Sequence, residues 1–243
     1  MSILFERRQL VTPGELLAEG DYISGDNVYR DGDKLYATRI GLADKSEKTV
    51  FVVAIKGCFI PLPGDFVVGK VVDVGLSGWT VDINSPYEAM LMASEAFERF
   101  NPRRNDLTDF LDVGDVIAAK VLAGDRARSP LLTIRDIGLG KISRGRMMTI
   151  DASKIPRLIG KKGSMINLLK RETGCQITIG QNGIILISGR SSENEDLAVL
   201  AISKIEEEAH LTGLTDRVAE LLRTEKEKRR SQNVTAETSG KAN

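Results

Sequence analysis

Ile155-Pro156-Arg157-Leu158-Ile159-Gly160-Lys161-Lys162-Gly163-Ser164-Met165-Ile166 decides how the C-terminal third of this 243-residue chain folds. Two glycines three apart join one short helical turn, Pro156–Ile159, to a helix over Ser164–Thr173. That helix carries Met165, Ile166 and Leu169 on one face and stops at Gly174, a C-terminal cap. Glycine at both ends of the turn lets a sugar-phosphate backbone approach without Cβ atoms in the way. N–H groups at the following helix start favour an anion, and Lys161 and Lys162 add mobile positive charge. Ile159 and Ile166 read as core residues that fix the helix pair.

Working outward, Lys141–Ile150 reads as one strand ahead of this loop. Behind it Cys175, Ile177 and Ile179 alternate as a strand, Asn182-Gly183 turns, and Ile184–Ile187 returns. A long helix follows from about Glu193, with Leu197, Ala201, Ile205 and Ala209 at helical spacing. The order β-α-α-β-β-α, with G-x-x-G between two helices, resembles a KH module, which clamps about four nucleotides across such a loop. The resemblance implies RNA-binding roles for Arg157, Gly160, Lys161, Lys162, Gly163 and Ser164. No aromatic residue follows Phe110, so this module cannot read bases by stacking. Ile177 and Ile179 are candidate floor residues of an apolar groove, and both could equally be ordinary core. A phosphate loop of the form G-x-x-x-x-G-K-[ST] does not occur in the chain.

Charge agrees with that reading. Lys plus Arg and Asp plus Glu both total 34, yet residues 141–190 carry a net +8. Residues 1–60, 61–140 and 191–243 carry −1, −4 and −3. A local surplus of that size attracts polyanions whatever the global balance.

Upstream, Pro13-Gly14, Glu19-Gly20-Asp21, Ser24-Gly25-Asp26 and Asp31-Gly32-Asp33 punctuate short apolar runs, the pattern of a small all-β unit over 1–60. Phe66–Val74, Trp79–Ile83, Met90–Met92, Val116–Leu122 and Leu131–Ile134 supply five strands, the number an OB-type barrel needs. The segment over 64–138 resembles an S-one RNA-binding domain through Gly64-Asp65-Phe66-Val67-Val68-Gly69-Lys70-Val71, Gly78-Trp79-Thr80-Val81-Asp82-Ile83, Leu91-Met92-Ala93-Ser94-Glu95 and Gly114-Asp115-Val116. It departs where that family places stacking aromatics, having Ser77 and Thr80, and where it places histidine, having Met92. Stacking is worth roughly 1–3 kcal/mol per base, so this face should bind RNA weakly. Trp79 is equally readable as packing on a neighbouring domain or stacking on a base. Lys70, Lys120, Arg103, Arg104, Arg126 and Arg128 can position phosphates without reading sequence, or be solvated surface.

The chain is therefore multidomain, mainly β plus α+β: a small N-terminal β unit, a five-stranded OB-type barrel, and a β-α-α-β-β-α KH domain over 141–222. Residues 223–243 are polar, without apolar periodicity, and are expected to be a frayed or disordered tail. This order resembles the RNA-binding cap subunit of the archaeal RNA exosome over roughly residues 8–220. Val11-Thr12-Pro13-Gly14-Glu15-Leu16-Leu17, Ser85-Pro86-Tyr87-Glu88-Ala89, Gly163-Ser164-Met165-Ile166 and Gly180-Gln181-Asn182-Gly183 carry the resemblance. It implies a non-catalytic protein that binds single-stranded RNA. Three copies would cap a hexameric ring of nuclease subunits and recruit RNA, A-rich tails favoured, for 3′→5′ decay.

Two other readings stay open: a KH and S-one transcription or translation factor outside an exosome, and a scaffold with weak RNA affinity. Catalysis is disfavoured. His210 is the single histidine, Cys58 and Cys175 have no metal spacing, and Glu206-Glu207-Glu208 point in different directions on a helix. No metal, cofactor or small-molecule substrate is expected. The longest apolar stretch, Val50–Leu62, is broken by Lys56, so no membrane span is expected, and the N-terminus reads as cytoplasmic.

Overall fold

Turn chemistry and period-two apolar runs build the N-terminal unit, Met1–Gly57, of a computed structural model describing residues 2–55, 57–97, 106–125, 128–209, 211 and 213–239. Its strands are β1 (Ser2–Ile3), β2 (Gln9–Val11), β3 (Leu16–Glu19), β4 (Ile23–Ser24), β5 (Val28–Asp31), β6 (Lys34–Ala37), β7 (Gly41–Ser46) and β8 (Thr49–Ala54). They form two four-stranded sheets, β1-β3-β6-β5 and β2-β7-β8-β4, around Val11, Leu17, Leu35, Ala43, Val50 and Val52. Gly41 cannot be enlarged, because a Cβ there would strike the Val53 carbonyl.

The second unit, Cys58–Asn243, holds both the barrel and the KH module. The barrel strands are β9 (Phe66–Val74), β10 (Gly78–Asp82), β11 (Ala89–Met92), β12 (Val116–Asp125) and β13 (Arg128–Thr133), with α1 (Ala93–Ala96) after β11. Neighbours run β13-β11-β10-β9-β12, and β12 pairs back to β13, which closes the barrel. β-Branched and leucine residues fill it: Val67, Val71, Val81, Ile83, Leu91, Ile117, Val121 and Leu132.

Lys141–Ile150 is not one strand. The structure splits it into β14 (Gly140–Ile142), which pairs with β12 as a sixth barrel strand, and β15 (Arg146–Thr149) of the KH sheet. Gly145, at φ +135° against the Ile187 carbonyl, makes the break. Lys141 Nζ donates to Asp115 Oδ2 at 2.5 Å and holds that carboxyl below its ordinary range, with a second bond from Asp112 N–H.

The KH module continues with a 3₁₀ turn (Ala152–Lys154), α2 (Ile155–Ile159), α3 (Ser164–Thr173), β16 (Gln176–Ile179), β17 (Ile184–Ser188), α4 (Ser192–Glu207) and α5 (Leu214–Ser239). Its sheet is antiparallel, in the order β15-β17-β16. Met165 and Leu169 on α3 face the core, and Gly174 at φ +67° ends the helix by donating its N–H to Lys170 O. The helix expected from about Glu193 is α4, and a further helix that the sequence reading did not name follows it. α4 ends at Glu207, Gly213 adopts φ +71°, and α5 returns Leu214, Val218 and Leu222 to the same core.

α5 carries the polar stretch beyond Arg223 as helix to Ser239. Charge pairs at helical spacing support it: Arg223–Glu227 at 3.2 Å and Lys228–Glu225 at 2.7 Å. Lys226 reaches across to Glu172 of α3 at 2.8 Å; Lys226, with Arg171, holds that carboxyl below its usual range. No helix among the described residues is long and apolar enough to cross a membrane.

The barrel and the KH module are joined by the β16–β17 turn. β10 ends with Asp82 opposite Lys70, leaving the backbone of Phe66 and Val68 to another partner. Gly180-Gln181-Asn182-Gly183 supplies it. Gln181 N–H donates to Phe66 O at 2.8 Å, and Phe66 N–H donates to Gln181 Oε1 at 3.0 Å. Asn182, 0 % exposed, donates from Nδ2 to Val68 O at 2.6 Å and Ile83 O at 2.8 Å, and accepts from Val68 N–H at 3.3 Å. Asn84 Nδ2 donates to Asn182 O at 3.0 Å. The two carboxamides thus replace the missing strand, each offering what a peptide group would.

Aspartate at 182 would keep the shape and lose both donors, leaving a buried carboxylate against two carbonyl oxygens. Asn182→Asp is expected to weaken the joint by about 3 kcal/mol at neutral pH. Protection of the Gln181 amide from hydrogen exchange reads this, and acidification should restore part of it, since a protonated carboxyl regains one donor. Unaltered protection at neutral pH would show that the amide is not what holds the turn.

Candidate nucleic-acid interface

The loop between α2 and α3 is built by positive φ angles. Gly160 sits at φ +74°, ψ 173°, Lys162 at φ +55°, ψ 30°, and Gly163 at φ +79°, ψ 13°. The two glycines serve different ends. A Cβ on Gly160 would lie 2.8 Å from Met165 N and 2.9 Å from Met165 Cβ, so that glycine is required by the loop's own closure. A Cβ on Gly163 would meet only Asn167 Nδ2 at 3.5 Å and Ile166 Cγ2 at 3.8 Å, so space lies open above it. That is where a backbone can come close.

Arg157, Lys161, Lys162 and Ser164 are all exposed around this loop. Neither a side-chain cap nor an acidic residue occupies the first turn of α3, so the positive end of its dipole is uncompensated. Within 141–190, Lys141, Arg146 and Arg171 are taken up by Asp115, Asp196 and Glu172. Arg157, Lys161 and Lys162 hold no ion pair among the described residues. Arg144, Lys154, Lys170 and Arg190 of the same stretch hold none either, and three of these seven free cations stand around the open glycine.

The apolar residues sort differently from the sequence expectation. Ile177 is 3 % exposed and belongs to the core, so it cannot floor a groove. Ile159, expected in the core, is 38 % exposed at the end of α2, because the break at Gly160 turns it outward. Ile166 and Ile179 are half-buried and pack against the core from its edge. Ile159, Ile166 and Ile179 are therefore partly accessible apolar residues of this module, as are Met147, Leu200 and Leu211.

The barrel contributes less. Trp79 neither stacks outward nor meets a neighbouring domain: it is 2 % exposed, donates from Nε1 to Leu111 O at 2.8 Å, and packs with Phe97 and Phe110 at 6.3 and 5.9 Å. Lys70 is exposed on β9. Lys120 on β12 is shared with Asp136 at 3.4 Å. Arg103, Arg104 and Arg126 lie outside the described residues, and Arg128 is described by its backbone alone. Sequence reading missed Gln181 and Asn182 as the joint; the available signal was two carboxamides between glycines in a turn too tight to need them. Among the described residues no three His, Cys, Asp or Glu side chains could hold a metal ion.

Lys162 allows charge and backbone to be separated. A lysine in the left-handed region is strained, and asparagine tolerates that region better. Lys162→Asn is expected to raise thermal stability slightly, by about 0.5 kcal/mol, while weakening binding of single-stranded RNA. A variant that gained stability with RNA affinity unchanged would take Lys162 out of the interface.

Three family models match successive parts of the chain: an exosome RNA-binding protein RRP4 N-terminal domain over residues 8–56, an RRP4 S1 domain over 59–123, and a KH domain over 145–204. The exosome complex component Rrp4 of Thermofilum pendens is 43% identical over 226 residues, covering 91% of this chain and 95% of that one. Its counterpart from Thermococcus kodakarensis is 44% identical, covering 90% and 87%. A crystal structure of a protein described as an exosome complex RNA-binding protein superposes with a TM-score of 0.68 at 43% identity, over 71% of this chain and 99% of that one. With 43% identity over nine-tenths of its length and successive RRP4 N-terminal, RRP4 S1 and KH matches, the chain belongs to the Rrp4 family of exosome components.

Proposed function

We propose that this chain is a non-catalytic, RNA-binding cap component of a cytoplasmic exosome. It recruits single-stranded RNA, A-rich tails favoured, and threads it into a hexameric 3′→5′ exoribonuclease ring that carries three copies. The observation that carries the RNA reading is the α2–α3 loop: unpaired Lys161 and Lys162 beside an open Gly163, at an uncompensated helix start. Contact there is with phosphates, so affinity is salt-dependent and tolerant of sequence. The Gly180–Gly183 turn bonds the KH module to the barrel, which supports the loop presenting RNA in a preferred orientation rather than swinging on a linker.

The test is Lys161→Asp together with Lys162→Asp. Both side chains are exposed, aspartate tolerates the left-handed position, and two carboxylates suit a helix start, so the fold should stand. Affinity for single-stranded RNA should fall for all sequences, and the salt slope should flatten by about 0.7 per lost contact. Unchanged affinity in a folded double variant would move the site off this loop, to the barrel lysine Lys70 and its arginines.

Assembly on the ring rests on the N-terminal unit in the same proposal. Leu10 pairs with Leu42 and Leu42 with Val53 across β2, β7 and β8, and Leu10 and Val53 are each 54 % exposed. A row of aliphatic side chains on the outer face of so small a unit is the mark of a surface covered by a partner. Leu10→Asp with Val53→Asp should leave the unit folded and abolish co-purification with the ring subunits. Normal assembly of that variant would assign the ring contact to another face.

A further inference from the structure

We propose that Asn182 is a deamidation site whose chemistry is switched off while the turn is seated on the barrel, and whose product cannot be seated again. Asn182 is the one asparagine in the chain followed by glycine. In a freely moving Asn-Gly pair the glycine nitrogen reaches the asparagine side chain unhindered, since no Cβ stands in the way. The bond from Gly183 N to Asn182 Cγ forms and the Cγ–Nδ2 bond breaks. The amide proton of Gly183 leaves with Nδ2 as ammonia. Water then opens the five-membered imide at either carbonyl, giving aspartate or isoaspartate. Ammonia leaves, water enters, and no other reactant is needed.

Seating blocks each of these steps. The carboxamide points into the barrel on three hydrogen bonds, to Val68 O, to Ile83 O and from Val68 N–H. Turning it back toward Gly183 would break all three. Gly183 N–H is engaged with Gly180 O at 3.1 Å, and the residue is fixed at φ +85° against the Ile150 carbonyl. Asn182 is fully buried, so the hydrolytic step has no water.

The product is excluded for the same geometric reasons. Aspartate brings no donor to carbonyl oxygens that stood 2.6 and 2.8 Å from Nδ2. Isoaspartate lengthens the main chain of a four-residue turn whose other atoms are placed against Phe66 and Val68. A chain that has once undocked for long enough is thereby marked permanently.

The experiment follows conversion at residue 182 by peptide mass spectrometry, with isoaspartate counted by enzymatic methylation, in the full chain at mildly alkaline pH. Four samples are compared: the native chain, the chain in urea, and Asn84→Ala with Gln181→Ala in native buffer and in urea, a variant that weakens the joint while leaving residues 182 and 183 themselves unchanged and the Asn182 carboxamide bonds in place. Native conversion should be slower than in urea by more than about tenfold, since it must wait for local opening. The double variant should fall between, with circular dichroism showing both modules folded and its own urea sample giving the unhindered rate. Converted chain returned to native buffer should fail to recover Gln181 amide protection. Native conversion at the rate seen in urea would overturn the gating, whatever the variant does. Recovered protection in converted chain would overturn the exclusion of the product.

Discussion

The paired hydrogen bonds between the Asn182 carboxamide and the Val68 peptide group set where everything in the C-terminal unit stands. β9 is longer than β10, and its first residues would otherwise present bare donors and acceptors inside the molecule. Burial of such groups unpaired costs a few kcal/mol each. A side chain that both donates and accepts is the smallest device that satisfies them, and asparagine in a tight turn has the right length. The flanking glycines follow from it. A Cβ on Gly180 would sit 2.8 Å from Val68 N, so the turn approaches only without one. Position of the α2–α3 loop relative to the barrel is a consequence of this one seat.

Much of this was legible in the sequence, and the parts that were not share a cause. The α3 boundaries could be read because apolar spacing and Gly174 are local signals of the helix itself. The five barrel strands were legible because β-branched runs alternate between turn residues. Trp79 was not, because its meaning depends on Phe97, Phe110 and the Leu111 carbonyl, which arrive from a segment without periodicity. Ile159 was placed in the core for a similar reason, and Ile177 was left open between core and groove floor. An isoleucine looks alike in core and on a half-open face, and only the break at Gly160 decides. α4 was legible from Leu197, Ala201, Ile205 and Ala209, whereas α5 was not named, because its apolar residues Leu214, Val218 and Leu222 stand beside a long polar stretch. The division of 140–150 depended on a distant strand, β12, accepting Gly140–Ile142.

Electrostatics sharpened what charge counting only suggested. A regional surplus says that anions are attracted, not where they bind. Once Lys141, Arg146 and Arg171 are assigned to carboxylates, the remaining cations are the ones with no internal duty. Exposed pairs of this kind contribute little to stability. Their effect is to narrow the surface on which a phosphate finds an unshared charge.

Phe66 and Gln181 are 115 residues apart in the chain, and that separation has a consequence during synthesis. Chains emerge at roughly 5–20 residues per second, so the start of β9 waits about 6–23 seconds before its turn exists. Through that interval the nascent barrel carries an open strand edge, the feature that most readily pairs with a foreign chain. The interval closes only when the last strand of the KH sheet has left the ribosome. Cover for the start of β9 is therefore timed by the module that follows the barrel, and a chain truncated before residue 180 would keep Phe66 and Val68 without their partners on that side.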